Sequence, residues 1–324
     1  MVRSQRQWFK FVSAGVLGVF LAFPLKVLGT TPSSELVSPT TAPTSPINFV
    51  QAVVLGIVQG LTEFLPISST GHLKVVSVAM GWDAPDVAFS AILELGSIAA
   101  VIWYFWADLV QLVVGAIAAI RVSDRQSHEL QIVVGIGLGT LPIVLCGLAI
   151  EKFVPDFDRS PLRSLGAIAI ASIVMAILLG LAERLGALKR NWENLGIRDG
   201  VLMGLAQAMA VIPGVSRSGS TLTAGLFMGL ERATAARFSF LLAIPAITLA
   251  GLVEFYGVLS KGLGATQLVP LMIGFISSAV FSYLAIAWLL RFLQTRSTWI
   301  FIWYRLVFGA AILSGIAIGL IENV

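Results

Sequence analysis

From residue 49 to the C-terminus the chain is a series of apolar runs separated by short charged breaks. A hydrocarbon core of about 30 Å needs about 20 apolar residues of helix to cross it. Six runs meet that length: roughly 87–106, 130–150, 164–182, 238–256, 268–290 and 300–321. Two more apolar regions, 49–80 and 200–230, are each broken by a cluster of Pro, Gly and Ser. Each half, about 15 residues, is too short to cross. They predict re-entrant helical hairpins. Irregular backbone at membrane depth is tolerated only when it is buried in protein or lines a cavity.

The two broken regions are related. "GIVQGLTEFLPISSTG" (56–71) aligns with "GLAQAMAVIPGVSRSG" (204–219). Gly56/Gly204, Gln59/Gln207, Ser68/Ser216 and Gly71/Gly219 share one offset, 148, and Pro66 and Pro213 differ from it by one. Each copy is a hairpin followed by three spans, and an odd number of crossings inverts the second copy. The expected fold is an all-α polytopic membrane protein of two inverted-topology repeats. Residues 49–182 form the first repeat with its hairpin at 49–80, and 183–324 form the second with its hairpin at 200–230. The hairpin tips are predicted to meet near the midplane.

Composition agrees. Hydrophobic residues make up 57% of the 324 and charged residues 12%, against about 25% charged in soluble domains. The net charge of +4 is no sign of a nucleic-acid partner, because membrane proteins gather Lys and Arg in cytoplasmic loops. With the ends of the first hairpin outside, the inside loops hold Arg121, Arg125, Arg184, Lys189, Arg190, Arg198, Arg232, Arg237, Arg291, Arg296 and Arg305. The outside loops hold Lys152, Arg159, Arg163 and Lys261. The N-terminus points the same way. Arg3, Arg6 and Lys10 precede the apolar stretch 11–23 and a Pro/Ser/Thr linker. Residues 1–48 are thus a secretory signal or an uncleaved anchor plus linker, and either delivers residue 49 outside. The single cysteine, Cys146, excludes an intrachain disulfide.

The candidate chemistry lies at the tips. Where the second half-helix begins, unpaired N–H groups and a partial positive charge make an anion site suited to phosphate. The first tip offers Ser68, Ser69, Thr70 and Gly71; the second, "PGVSRSGST", offers Gly214, Ser216, Arg217, Ser218, Gly219, Ser220 and Thr221. The glycines are expected to let backbone approach a ligand closely. An arginine at membrane depth needs an anionic partner, and its planar fork suits phosphate. Gln59 and Glu63 are four residues apart, on one helix face, and His72 falls in the first turn after the break. Carboxylate, hydroxyl, imidazole and arginine around one anion fit phosphoryl transfer. Glu63 and phosphate oxygens also suit a divalent cation, Mg²⁺ or Ca²⁺. Glu94, at mid-span in "AILELGSIAA", either lines the pocket or pairs with a cation.

"GLTEFLPISSTGH" and "PGVSRSGST" resemble the two signature motifs of the undecaprenyl-diphosphate phosphatase family, the bacitracin-resistance phosphatases. The resemblance spans roughly 49–321. It implies hydrolysis of undecaprenyl diphosphate to the monophosphate and phosphate, with a divalent cation, on the outer face of the cytoplasmic membrane. The partners implied are a polyprenyl diphosphate lipid and the membrane, and a homodimer is compatible with it. The family's acidic motif, Glu or Gln, three residues, then Glu, matches Gln59 and Glu63. Its second motif matches Pro213, Gly214, Ser216, Arg217, Ser218 and Thr221. Gln59 stands where some members have Glu, which leaves Glu63 as the main acidic group. Glu94 stands where Gln is expected. The nucleophile is Ser69, His72 or a metal-activated water. Two other classes stay open. An inverted-repeat transporter or flippase of an anionic lipid or small anion has the same architecture. A phosphatidate-type lipid phosphatase, suggested by "STGH", needs a second histidine in an Arg-rich motif followed by an Asp, and His128 in "RVSDRQSHEL" has no such setting.

Overall fold

The computed structural model describes residues 47–83, 85–154, 157, 160–261 and 268–323. The N-terminal signal or anchor, Arg159 and the Lys261 side chain lie outside them. The described residues form helices without a strand.

Helix α1 (Phe49–Glu63) opens with a capping box: the Gln51 amide donates to Asn48 Oδ1 and the Asn48 amide to Gln51 Oε1, both at 2.9 Å. It stops three residues before Pro66, because proline disfavours helical backbone in the residue preceding it. Helix α2 (Ser69–Ala79) completes the first hairpin. Then come α3 (Val87–Tyr104), α4 (Trp106–Arg121), α5 (His128–Phe153) and α6 (Leu165–Leu185). The second hairpin is α7 (Ile197–Ala208), a 3₁₀ turn (Met209–Val211) and α8 (Arg217–Phe227). It is followed by α9 (Arg232–Lys261), α10 (Leu268–Leu293) and α11 (Trp299–Ala317). The order broken hairpin, then long helices, occurs twice, consistent with the repeat.

Among the described residues, five helices are long and apolar enough to cross a membrane: α5, α6, α9, α10 and α11. The pair α3 and α4, bent by 67° at Phe105, is apolar enough to count as a sixth if the two helices act as one broken span. Helix α4 corrects the expectation of a loop between the spans 87–106 and 130–150. Its apolar stretch is shorter than a span, so length alone passes over it.

The two halves of the chain are interlocked. Helix α1 of the first packs along α10 of the second, and α7 of the second packs along α5 of the first. Glycine makes both contacts close. A Cβ at Gly60 would lie 2.6 Å from the Ser278 carbonyl, and one at Gly204 would lie 2.1 Å from the Gly139 carbonyl. Small residues of this kind let helix backbones approach in a membrane, where van der Waals packing drives association. Between α3 and α10, Ser97, Ser278 and Ser282 form a buried hydroxyl chain with links of 3.0 and 2.9 Å. Beyond the spans, Arg190 holds Asp199 through two 2.8 Å bonds, while Asp199 caps α7 through the Gly196 amide.

Candidate active site at the joined hairpin tips

Both tips are built on one backbone device. Ser68 and Ser216, equivalent in the repeat, have positive φ, 75° and 71°. Non-glycine residues held there cost of order 1–3 kcal/mol and persist only when their surroundings over-determine them. Those surroundings are visible. Ser216 Oγ accepts the Gly219 amide at 3.1 Å. The Ser68 carbonyl accepts His72 Nδ1–H at 2.6 Å. Each serine is the N-cap of the helix that follows, and both line the space between the tips. Gly214, with φ of 91°, turns the second tip; a Cβ there would meet the Ile168 carbonyl at 2.5 Å.

Glu63 joins the tips. One of its oxygens pairs with the Arg217 guanidinium. The other accepts Ser69 Oγ–H at 2.7 Å and Gln59 Nε2–H at 2.9 Å. The Glu63 side chain is 7% exposed and that of Arg217 18%, so the pair is shielded yet reachable. Ser218 Oγ donates to the Leu65 carbonyl across the tips at 2.9 Å. Behind them lies Arg305, 1% exposed. Its guanidinium donates to the carbonyls of Pro66 (2.9 Å), Gly214 (2.7 Å), Val215 (3.1 Å) and Ser172 (3.1 Å). Each tip therefore presents carbonyls to a buried cation.

The cavity between the tips measures about 140 Å³. Glu63, Ser68, Ser69, Thr70, Gly214, Ser216 and Arg217 line it, with Glu94, Pro213 and the apolar Ile143, Ala210 and Ile212. The remaining expected site residues stand behind this wall. Gln59 supports Glu63. Ser218 and Thr221 bond to backbone within the tips, Thr221 to the Arg217 carbonyl at 2.8 Å. A Cβ at Gly71 would lie 3.0 Å from the Ile168 side chain, and one at Gly219 would lie 2.8 Å from the Arg305 guanidinium. Packing, not ligand approach, is what these two glycines serve. His72 is also withdrawn. Its Nδ1 is held by Ser68, its Nε2 lies 2.6 Å from the Tyr304 hydroxyl, and its ring stacks on Phe308 at 4.3 Å.

The donor chemistry suits a hard cation in part. Among the described residues no group of three or more His, Cys, Asp or Glu side chains can hold a metal. Glu63 accepts three bonds, and a carboxylate has about four acceptor sites. One site, with phosphate oxygens from a substrate, gives the all-oxygen set that Mg²⁺ and Ca²⁺ take.

The loop count of cations places Arg305 inside, and the structure corrects this: the residue lies within α11. The signal for it is a single arginine inside the apolar run "IFIWYRLVFGAAIL", the same signal that marks Arg217.

Residues 52–311 match the family model described as bacitracin resistance protein BacA. The chain is 60% identical over 325 residues to an undecaprenyl-diphosphatase from Trichormus variabilis, covering 100% of both chains. It is 62% identical over 273 residues to one from a Synechocystis species, covering 84% of each. It is 53% identical over 278 residues to one from Gloeobacter violaceus, covering 86% of this chain and 95% of that one.

Proposed function

Because the chain belongs to the bacitracin resistance protein BacA family, we propose that it is a multi-pass membrane undecaprenyl-diphosphatase. It hydrolyses undecaprenyl diphosphate to undecaprenyl phosphate and phosphate on the outer face of a bacterial cytoplasmic membrane. That returns the lipid carrier to peptidoglycan synthesis and underlies bacitracin resistance. The observation that carries this reading is the set Ser69–Glu63–Arg217, gathered from two hairpins onto one cavity.

The chemistry follows from the contacts. Ser69 Oγ–H already points at a Glu63 oxygen 2.7 Å away, within the reach expected of a nucleophile and its base. Ser69 Oγ attacks the terminal phosphorus, Glu63 takes its proton, and the bond to the bridging oxygen breaks to release the lipid monophosphate. Arg217 and the N-termini of α2 and α8 offset charge on the equatorial oxygens. Among the described residues the only hydrogen bond of the Arg217 side chain is to Glu63, which leaves its other N–H groups for phosphate. When bound, a divalent cation adds positive charge against the diphosphate, and Glu63 is the residue that would hold it. Ser69 is favoured over His72 as nucleophile because Ser69 lines the cavity and both ring nitrogens of His72 are engaged elsewhere.

The test is phosphate release from the C55 diphosphate by the purified protein, with Mg²⁺ or Ca²⁺ and with chelator. Turnover with cation and its loss with chelator are expected. Movement of an anion or lipid without any phosphate release would establish a carrier instead.

A further inference from the structure

The two tips share one turn but are held by different means. The second tip holds itself. Ser216 Oγ accepts the Gly219 amide at 3.1 Å, and the Ser216 carbonyl accepts the Ser220 amide at 2.9 Å. At the first tip the corresponding bonds are missing or long. Ser68 makes no side-chain cap, and the His72 amide stands 3.4 Å from the Ser68 carbonyl. The His72 imidazole takes their place, with Nδ1 at 2.6 Å from that carbonyl. The offset of 148 pairs His72 with Ser220, so the imidazole is a part that the second tip does without. Ser68 nonetheless keeps the positive φ of Ser216, a conformation that persists only where its surroundings fix it.

The other ring nitrogen decides whether this hold works. A carbonyl only accepts, so Nδ1 must carry a proton, and in a neutral imidazole Nε2 is then an acceptor. Nε2 lies 2.6 Å from the Tyr304 hydroxyl, which is therefore the donor. Which nitrogen carries the proton is set by the bond that the other makes. Phe308, one helical turn after Tyr304, stacks on the imidazole at 4.3 Å with 6° between the planes, which fixes the plane of the ring. Arg305, next in sequence, holds the Pro66 carbonyl at 2.9 Å. Adjacent residues of α11 thus grip the first tip on both sides of Ile67, at Pro66 directly and at Ser68 through His72.

We propose that Tyr304 is a positioning residue for Ser69. Its O–H holds His72 in the Nδ1–H tautomer, that N–H holds the Ser68 carbonyl, and the fixed turn keeps Ser69 Oγ aimed at Glu63. Ser68 Oγ, not spent on a cap, is left to the cavity that it lines. Neither Tyr304 nor His72 has to touch the substrate for this. The role in turnover rests on Ser69 being the attacking group.

The experiment uses the full purified chain in detergent, with its histidine rings labelled with nitrogen-15, and phosphate release from the C55 diphosphate. The chain has two histidines, so the spectrum of His128→Gln identifies the signals of His72. In the wild type, Nδ1 of His72 should read as protonated and Nε2 as bare. Tyr304→Phe removes the hydroxyl and keeps the ring. It should mix the two tautomers and lower kcat by about 10-fold, the rate equivalent of one ordinary hydrogen bond. KM should change little, the pattern of an interaction that acts in the transition state. His72→Asn keeps an N–H donor near the place of Nδ1 and should release phosphate faster than His72→Gln. Adding Tyr304→Phe to His72→Asn should cost nothing further, because no tautomer is left to set. A wild-type His72 with Nε2 protonated overturns the proposal. So does a Tyr304→Phe protein that keeps either the wild-type tautomer or the wild-type kcat. If Tyr304→Phe does not fold, equal rates in His72→Asn and His72→Gln overturn it. The spectra need no turnover, so a wild-type chain that releases no phosphate overturns the phosphatase reading while the tautomer still decides the hydrogen-bond chain.

Discussion

Arg305 is expected to matter for both stability and turnover although it does not line the cavity. Arg305→Met keeps the length of the side chain and removes every donor. The Pro66, Gly214 and Val215 carbonyls at the tips, which now accept bonds of 2.7–3.1 Å from it, would lose that partner, as would the Ser172 carbonyl inside α6. A hydrogen bond to a charged group contributes about 1.5–3 kcal/mol, and each buried acceptor left bare costs about 1–3 kcal/mol. Three such acceptors outweigh the relief of no longer burying a cation. A net loss of about 4 kcal/mol is expected, from these per-acceptor costs less that relief. Arg305→Lys should recover less than half of it, because a point charge cannot reach three carbonyls as a planar fork does. Thermal unfolding of the purified variants in detergent, beside phosphate release, measures both effects. Release should fall because the same carbonyls set the positions of Ser69 and Arg217. An Arg305→Met protein within about 1 kcal/mol of wild type, the worth of a single ordinary hydrogen bond, and turning over at its rate would refute the reasoning.

Glu63→Gln keeps the size and removes the charge, so if Glu63 is the base phosphate release should drop by at least about 10²-fold. Arg217→Lys should be nearly as damaging as Arg217→Ala, about 3 kcal/mol in kcat/KM, by analogy with losing one preorganised donor; an active Lys variant would argue against the planar fork. Ser69→Ala should abolish any phospho-enzyme, while His72→Ala should still form it with lowered thermal stability; phosphohistidine in Ser69→Ala would reverse the assignment. A reporter in the 183–199 loop should behave as cytoplasmic and one in the 151–163 loop as external; the same side for both would remove the inverted topology.

The parts of the fold legible in the sequence are those where physics leaves a local mark. Pro66 and Pro213, with their serine and glycine neighbours, interrupt apolar runs, so both hairpins are visible. The spacing of Gln59 and Glu63 and the cost of Arg217 at membrane depth together point to one site. Arg305 carries the same mark as Arg217, a lone arginine in an apolar run, but its partners are carbonyls, which every residue carries and no sequence motif marks. Helix α4 escapes such a reading because a bend at Phe105 lets a short apolar segment continue a span. The offset of 148 also understates the asymmetry of the tips. Ser69 and Arg217 occupy equivalent positions, and the counterpart of Glu63 is Val211. Gln207 likewise repeats Gln59, yet its buried amide has no hydrogen-bond partner among the described residues.

The interlocked glycine contacts have a consequence for biosynthesis. Gly56 rests on the backbone of Gly274, which is translated about two hundred residues later. At about 5–20 residues per second, the first hairpin waits roughly 10–40 s for the helix that will hold it. During that interval its turn, with unpaired backbone groups, has no finished cavity to line. A pause or truncation before residue 268 therefore leaves the nascent chain without a seat for Ser69, and quality control in the membrane has a defined target: an early hairpin still missing a late helix.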